Sequence, residues 1–169
     1  MAGGHIPDDQ TMHDAQGTDD DLVPVVDEVT GLANRRGFLE MLRMEERRRA
    51  RYGGSPTLMM VDVERTVAAL APAERHGALL QIAAVLADAT RDTDTLGRVD
   101  EYRFALLAIG TGSEPAPIAG RLRLFLELRG VQAVLTPANT GSLEQAWLEL
   151  DGPARPALRL VRPETDPSN

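Results

Sequence analysis

Apolar residues recur along the chain with two different periods, and this alternation predicts a series of helices and strands. Asn34 is a residue type that caps helices, and the apolar residues after it, Phe38, Leu39 and Leu42, have the spacing of one helix face. This pattern predicts a helix that begins after Asn34. Glycines and a proline between Tyr52 and Pro56 end this helix. Thr57 to Val63 is a nearly continuous apolar run, which favours a central strand buried on both faces.

The second half of the chain continues the alternation. We expect a helix from about Pro72 to Arg91 whose apolar positions are Leu79, Leu80, Ala83, Leu86 and Ala87. Two strands, Leu96 to Val99 and Phe104 to Ile109, are expected to form a hairpin at Asp100-Glu101. The next predicted helix ends near Gly130 and has apolar positions at Ile118, Leu122, Phe125 and Leu126. A strand from Val131 to Leu135 follows. A capping box of Ser142 and Gln145 then starts a helix with Leu143, Ala146, Trp147 and Leu150, and Ala157 to Val161 is expected to form an edge strand. This order predicts an α/β fold with a central mixed sheet flanked by helices.

The chain has 169 residues, which is typical of one domain, and we place that domain at residues 25–162. Residues 1–24 are polar and acidic and predict a disordered tail, as do residues 163–169. Six aspartates and no arginine lie within residues 1–21: Asp8, Asp9, Asp14, Asp19, Asp20 and Asp21. Most of the formal net charge of −8 therefore belongs to the N-terminal segment.

The composition excludes several functions. Without cysteine, the chain has no disulfide scaffold, cysteine nucleophile or zinc finger, and without lysine it has no Schiff-base or P-loop lysine. No apolar stretch approaches the ~20 residues of a membrane helix, so we expect a cytoplasmic protein that does not bind membranes. The arginine cluster from Arg43 to Arg51 is interleaved with Glu45 and Glu46, which favours a solvated helix face over a nucleic-acid site.

Three segments match known motifs. Residues 27–36 (DEVTGLANRR) follow the pattern D-x-L-T-G-L-x-N-R-R, residues 59–65 (MMVDVER) match a strand that usually reads L-L-D-L-D-R-F, and residues 91–99 match the segment before a signature hairpin. On these residues, the stretch from Asp27 to Asp151 resembles the GGDEF domains of the diguanylate cyclase family. The resemblance implies a palm-like nucleotide-cyclase fold and a reaction that joins two GTP molecules into cyclic di-GMP.

In that family, two glycines of the hairpin let the backbone approach a triphosphate, and the next acidic residue joins a strand aspartate in holding Mg²⁺. Counted back from the anchoring phenylalanine, the five positions here read Asp100-Glu101-Tyr102-Arg103-Phe104. Two carboxylates thus replace the glycines, and like charges ~4 Å apart cost about 4 kcal/mol at an effective dielectric near 20. A second register would leave Arg98-Val99 in place of the glycines, so the glycine pair is missing in both registers.

The resemblance leaves Asp62 as the one strand carboxylate at a metal-ligand position, with Glu64 as a helper. The following stretch lacks the guanine-reading asparagine, and His76 stands where the family has an aspartate. One strand carboxylate does not make a two-metal site. We therefore expect no catalytic residues and no cofactor, and Mg²⁺ would be needed only by a residual cyclase.

One further family motif is intact. Arg91-x-x-Asp94, five residues before the signature, resembles the RxxD product site, and Arg121 aligns with the arginine that completes it. Guanidinium groups can bind phosphate oxygens and the O6/N7 edge of guanine, while a carboxylate accepts from guanine N–H groups. The alternative is structural, with Arg91 favouring a helix C-terminus and Asp94 forming a turn.

The sequence therefore predicts a catalytically inactive GGDEF domain that binds cyclic di-GMP at Arg91, Asp94 and Arg121 and signals to a protein partner. One alternative is a ligand-independent interaction module, for example a homodimer. Another is a residual diguanylate cyclase that makes cyclic di-GMP from GTP.

Overall fold

The computed structural model describes residues 24–110, 114–138 and 141–152. The elements are β1 (Ala33–Asn34), α1 (Arg35–Tyr52), β2 (Thr57–Asp62), α2 (Glu64–Val67), α3 (Pro72–Asp88), β3 (Thr95–Asp100), β4 (Arg103–Ala108), α4 (Ala116–Glu127), β5 (Val134–Ala138) and α5 (Leu143–Asp151). The predicted edge strand at Ala157 to Val161 and nearly all of both predicted tails lie outside the described residues.

The five strands form one mixed sheet in the order β1-β3-β4-β2-β5. The β1 and β3 strands are parallel, and all other neighbours are antiparallel. The predicted α/β fold class, a mixed sheet flanked by helices, is therefore confirmed. The apolar run that begins at Thr57 lies between two neighbours, as its composition predicted, and β5 with Pro137 forms one edge.

Side chains of the central strands alternate between two cores. Met59 and Val61 face α3 and α4, whereas Leu58 and Met60 face α1 and α5. The helix residues of the first core are Leu79, Ile82, Ala83, Val85 and Leu86 from α3 and Ile118, Leu122 and Leu126 from α4. Those of the second core are Phe38 and Leu42 from α1 and Leu143, Ala146 and Trp147 from α5. Each fully buried Val, Leu, Ile, Phe or Met side chain among these stabilises the fold by about 1.5–3 kcal/mol.

The start of α1 is fixed by its cap and by close packing. The side chain of Asn34 accepts a hydrogen bond from the Gly37 amide at 3.0 Å, as the sequence predicted. Gly97 on β3 packs so tightly beneath α1 that an added Cβ would lie 2.9 Å from the Ala33 carbonyl oxygen and 2.9 Å from a ring carbon of Phe38. Only glycine fits there without a shift of the backbone or the ring.

Two predicted helix features are wrong in detail. The α3 helix ends at Asp88 rather than Arg91, because the Asp94 amide donates to the Arg91 carbonyl and closes a separate turn. Leu80 and Ala87, which were predicted to lie in the core, are exposed. Ile82 and Val85 are buried in the core instead.

The last described strand is also shifted, beginning at Val134 rather than Val131. The Val131 amide donates to the Leu126 carbonyl at 2.9 Å and so still belongs to the termination of α4. Gln132 is held instead by Thr66, whose hydroxyl oxygen accepts from the Gln132 amide at 2.8 Å. Within the described ranges, no helix is both long and apolar enough to cross a bilayer.

Candidate functional site

The tip of the β3–β4 hairpin lies within residues 100–104, which the sequence identified as the signature. Asp100 pairs with Arg103 across the hairpin, so Glu101 and Tyr102 form the turn. A register shift between Arg98 and Asp100 marks a bulge just before the turn. The Asp100 carboxylate accepts from the Glu101 amide at 2.8 Å, and both acidic side chains are exposed at the tip.

Arg98 ties this hairpin to the opening motif of residues 27–36. Its guanidinium lies 3.0 Å and 3.3 Å from the two carboxylate oxygens of Asp27 and also donates to the Glu101 carbonyl at 2.9 Å. The Thr30 amide and hydroxyl donate to Asp27 at 2.9 Å and 2.7 Å. Local sequence patterns do not reveal this role of Arg98, because its partner stands 71 positions away.

The Asp27 carboxylate is stabilised in its charged form. Partial burial alone would raise its pKa, but the hydrogen bonds from Thr30 and the charge of Arg98 outweigh burial, so the pKa lies below its ordinary value. The opening motif therefore acts, in this structure, as an anchor for the hairpin.

Asp62, the candidate metal ligand, lies at the end of β2 directly opposite Arg103 of β4. One carboxylate oxygen accepts from the Glu64 amide at 2.9 Å, and the other lies 3.6 Å from Nε of Arg103. An arginine cation thus faces the one strand carboxylate that stands at a metal-ligand position of the family. The sequence showed an arginine at the fourth signature position, but its pairing with Asp62 follows only from the strand register.

Asp62 and Arg103 also line a small cavity of about 80 Å³ between the sheet and α5. Its other polar side chains are Thr136 and Glu149, and Glu149 was not singled out by the sequence. Across the described ranges, no group of three or more carboxylate or histidine side chains is arranged to hold a metal ion. The carboxylates that line this cavity and could bind Mg²⁺ are those of Asp62 and Glu149, and the Arg103 cation lines the same cavity.

Tyr102, at the expected position of the second metal ligand, belongs to the structural framework of the turn. Its carbonyl accepts from the Val63 amide at 2.9 Å, and its ring packs against the core on the α3 side. Arg75 contacts its hydroxyl at 3.5 Å. The hydrogen bond with the Glu101 carboxylate is the main cause that raises the pKa of Tyr102, followed by desolvation.

The three residues of the RxxD motif and its extension lie on the α3/α4 side of the sheet. Arg91 is exposed in the loop after α3, and Arg121 is half-buried on α4. Asp94 accepts from the Arg91 amide at 3.0 Å and from the Ile109 amide at 3.2 Å, so the turn role weighed from the sequence is present. Among the described residues, no hydrogen bond or ion pair joins Arg121 to Arg91 or Asp94, and Nε of Arg121 is buried without a partner.

Comparisons with known proteins agree on one family. The GGDEF family model, described as "Diguanylate cyclase, GGDEF domain", matches residues 25–132. A diguanylate cyclase (DGC) protein from Thermotoga maritima superposes with a TM-score of 0.62 at 27% identity, covering 74% of this chain and 97% of the other. No curated protein matches the sequence.

Two further solved structures are similar to the chain. The diguanylate cyclase SiaD of Pseudomonas aeruginosa, solved with its activator SiaC, has 26% identity and a TM-score of 0.62, covering 75% of this chain and 55% of that one. The GGDEF domain of DgcB from Caulobacter crescentus, solved with c-di-GMP, has a TM-score of 0.63 over 76% of this chain and 86% of the other. At 14% identity, the DgcB likeness concerns the fold alone.

Proposed function

The chain belongs to the GGDEF domain family, which is related to cyclic di-GMP metabolism, and from this premise we propose that it binds cyclic di-GMP without making it. In this proposal Arg91, Asp94 and Arg121 bind the ligand, and the domain relays the bound state to a protein partner. The residues 100–104 and Asp62 have no catalytic task.

The pairing of Asp62 with Arg103 is the main observation that supports the proposed absence of catalysis. A guanidinium 3.6 Å from the carboxylate supplies the positive charge that a metal ion would otherwise supply there. At the tip, the exposed carboxylates of Asp100 and Glu101 repel a triphosphate. We expect no cyclic di-GMP from GTP and Mg²⁺; formation of product that is lost in Asp62→Ala would instead identify a residual cyclase.

The orphan donor of Arg121 supports the binding half of the proposal. A buried N–H without a partner is costly, and a ligand phosphate or guanine edge would satisfy it. Arg91 is exposed beside Asp94, so its guanidinium is free to meet the same anion. The two amides that Asp94 accepts leave further lone pairs on its oxygens for guanine N–H groups.

Isothermal titration of the full chain with cyclic di-GMP tests this site. We expect saturable binding that weakens about 10- to 100-fold in Arg91→Ala and in Arg121→Ala, because one charge-assisted hydrogen bond contributes about 1.5–3 kcal/mol. Arg129→Ala, an exposed arginine just beyond α4, is the matched control and should bind like wild type. Absence of heat, or equal affinity in all four proteins, would overturn the proposal.

A ligand-independent interaction module is the second candidate, and the outer side of α4 favours it. Leu124 is 55% exposed and Leu128, just beyond the helix, is 73% exposed, which is unusual for two leucines so close together. Under this alternative, Leu124→Glu would abolish dimer or complex formation in sedimentation experiments without cyclic di-GMP. Under the leading proposal, the same variant keeps its affinity for cyclic di-GMP.

A further inference from the structure

The α1 helix carries an unusual excess of positive charge, with seven arginines against three glutamates. Several of these arginines have local partners. Arg35 pairs with Asp151 and lies 5.4 Å over the Trp147 ring, while Arg48 and Arg49 pair with glutamates three positions earlier. These ion pairs therefore neutralise only some of the seven arginines of α1.

Three other arginines form a row without such partners. Arg43, Arg47 and Arg51 stand four residues apart, so they lie along one side of α1, and all three are exposed. None of them makes a hydrogen bond or an ion pair with any of the described residues. Three uncompensated cations on one side of a helix attract an acidic chain segment.

Two shallow grooves follow this arginine row. The first, of about 570 Å³, is lined by Pro24, Asn34, Arg35, Arg36, Leu39 and Arg43. The second, of about 300 Å³, is lined by Met44, Arg47, Arg48, Arg51 and Tyr52. Met44 is 55% exposed and Tyr52 is 79% exposed, so the charged row has apolar surface beside it.

Pro24 connects these grooves to the acidic part of the sequence. It is the first described residue and itself lines the first groove, so the chain enters the fold beside Arg43. The three aspartates at positions 19–21 precede Pro24 by three to five residues, a reach of at most about 10–18 Å. Arg43 lies eight residues beyond Arg35, about 12 Å along the helix axis.

We propose that the acidic N-terminal segment, residues 1–21, binds in cis to the arginine row of α1. Its six aspartates and no arginine complement a helix with four more arginines than glutamates. The aspartates at positions 19–21 are close enough to Pro24 in sequence to reach Arg43, and the earlier aspartates have enough chain to reach Arg47 and Arg51. The segment then acts as a built-in occupant of a docking surface for acidic peptides, independently of the proposed ligand site.

A nucleic acid is a poorer occupant of the same surface. The glutamates at positions 45 and 46 interrupt the basic residues of α1, and the chain carries a formal net charge of −8. A tethered segment also has an effective concentration that a free partner lacks. An acidic segment of a second copy would use the same charges, so the experiment must separate the two sources.

Paramagnetic relaxation in the full chain tests the proposal, because the absence of cysteine allows one specific label. With a nitroxide on Thr11→Cys, thirteen residues before Pro24, we expect amide signals over residues 39–51 to broaden and those of α3 and α4, on the other side of the sheet, to stay sharp. The broadening should disappear in 1 M salt, where the Debye length is about 3 Å. Spectra of the reduced label report whether each variant remains folded.

A matched pair of double variants separates specific from general charge effects. Arg43→Gln/Arg47→Gln should abolish the broadening, whereas Arg65→Gln/Arg129→Gln, with the same charge change at exposed sites elsewhere, should preserve it. Lack of broadening in the labelled parent protein, or equal loss in both double variants, would overturn the proposal. So would broadening found only when a labelled chain is mixed with a second, isotope-labelled chain, because the occupant would then be another copy.

Discussion

At the residue scale, two arginines of the hairpin compensate carboxylates contributed by other parts of the chain. Arg98 holds Asp27 of the opening turn, and Arg103 faces Asp62 across the strands. The second pairing places a permanent positive charge beside Asp62, because a guanidinium does not lose its charge at any ordinary pH. A divalent cation would therefore have to compete with a permanent one.

Replacing Arg103 by glutamate should create a weak divalent-cation site. In Arg103→Glu, three carboxylates would face the cavity beside α5: the new one, Asp62 and Glu149. Carboxylate oxygens are the preferred ligands of Mg²⁺ and Mn²⁺. We expect titration calorimetry to detect Mn²⁺ binding in this variant, and Mn²⁺ to raise its melting temperature.

Arg129→Glu is the control for this change, because it adds the same charge at an exposed position just beyond α4, away from Asp62. Wild type and Arg129→Glu should bind no Mn²⁺ under the same conditions. Equal Mn²⁺ binding by the two glutamate variants would mean that added charge, rather than the Asp62 neighbourhood, attracts the ion.

At the element scale, the opening turn, β3 and the hairpin tip form one unit that the element pattern alone did not reveal. The sequence predicted the Asn34 cap, the buried β2 run and the hairpin, because each depends on residues close together in the chain. It missed the contact between Asp27 and Arg98, which depends on the parallel pairing of β1 with β3. Contacts of this kind can be predicted only when the register between paired strands is known, and local sequence patterns do not specify that register.

The contact between the opening turn and the hairpin should make stability depend on pH. The pKa of Asp27 is lowered in the folded protein, so its contribution is fully present above the unfolded value near 3.9 and is lost as the pH falls through the folded value. At pH 7, Asp27→Asn should lower the free energy of unfolding by about 1.5–3 kcal/mol, as for a hydrogen bond to a charged group. Below pH 4 the difference from wild type should shrink.

Urea unfolding at a series of pH values measures this difference. Glu28→Gln, at the next position and exposed, is the control and should follow the wild-type curve. If the Asp27→Asn difference were constant from pH 7 to pH 3, the carboxylate charge would not be its cause.

The contact between α1 and β3 is sensitive to a single methyl group. In Gly97→Ala, the new Cβ would lie 2.9 Å from the Ala33 carbonyl oxygen, and overpacking of this kind costs about 1–3 kcal/mol. Gly77→Ala on α3 is the matched control, because an added Cβ there meets nothing within 4 Å. We expect this control to gain about 0.5–1 kcal/mol in urea unfolding. Equal stabilities of the two variants would contradict the packing argument.

At the scale of the whole molecule, one sheet separates two surfaces with different proposed tasks. The α3/α4 side carries Arg91 and Arg121, and the other side carries α1 with its arginine row and α5. The fold class was predictable because helix and strand periods alternate along most of the chain. The opposition of Asp62 and Arg103 was not, because their residues come from strands 41 positions apart and meet only in the finished sheet.

The two edges of the sheet have a consequence for self-association. One edge is the two-residue strand β1, and the other is β5, where Pro137 has no amide hydrogen to donate to an added strand. Within the described part of the chain, neither border is a good template for fibril growth by strand addition. Assemblies of such a domain would therefore be expected to form through its helices rather than through its sheet edges.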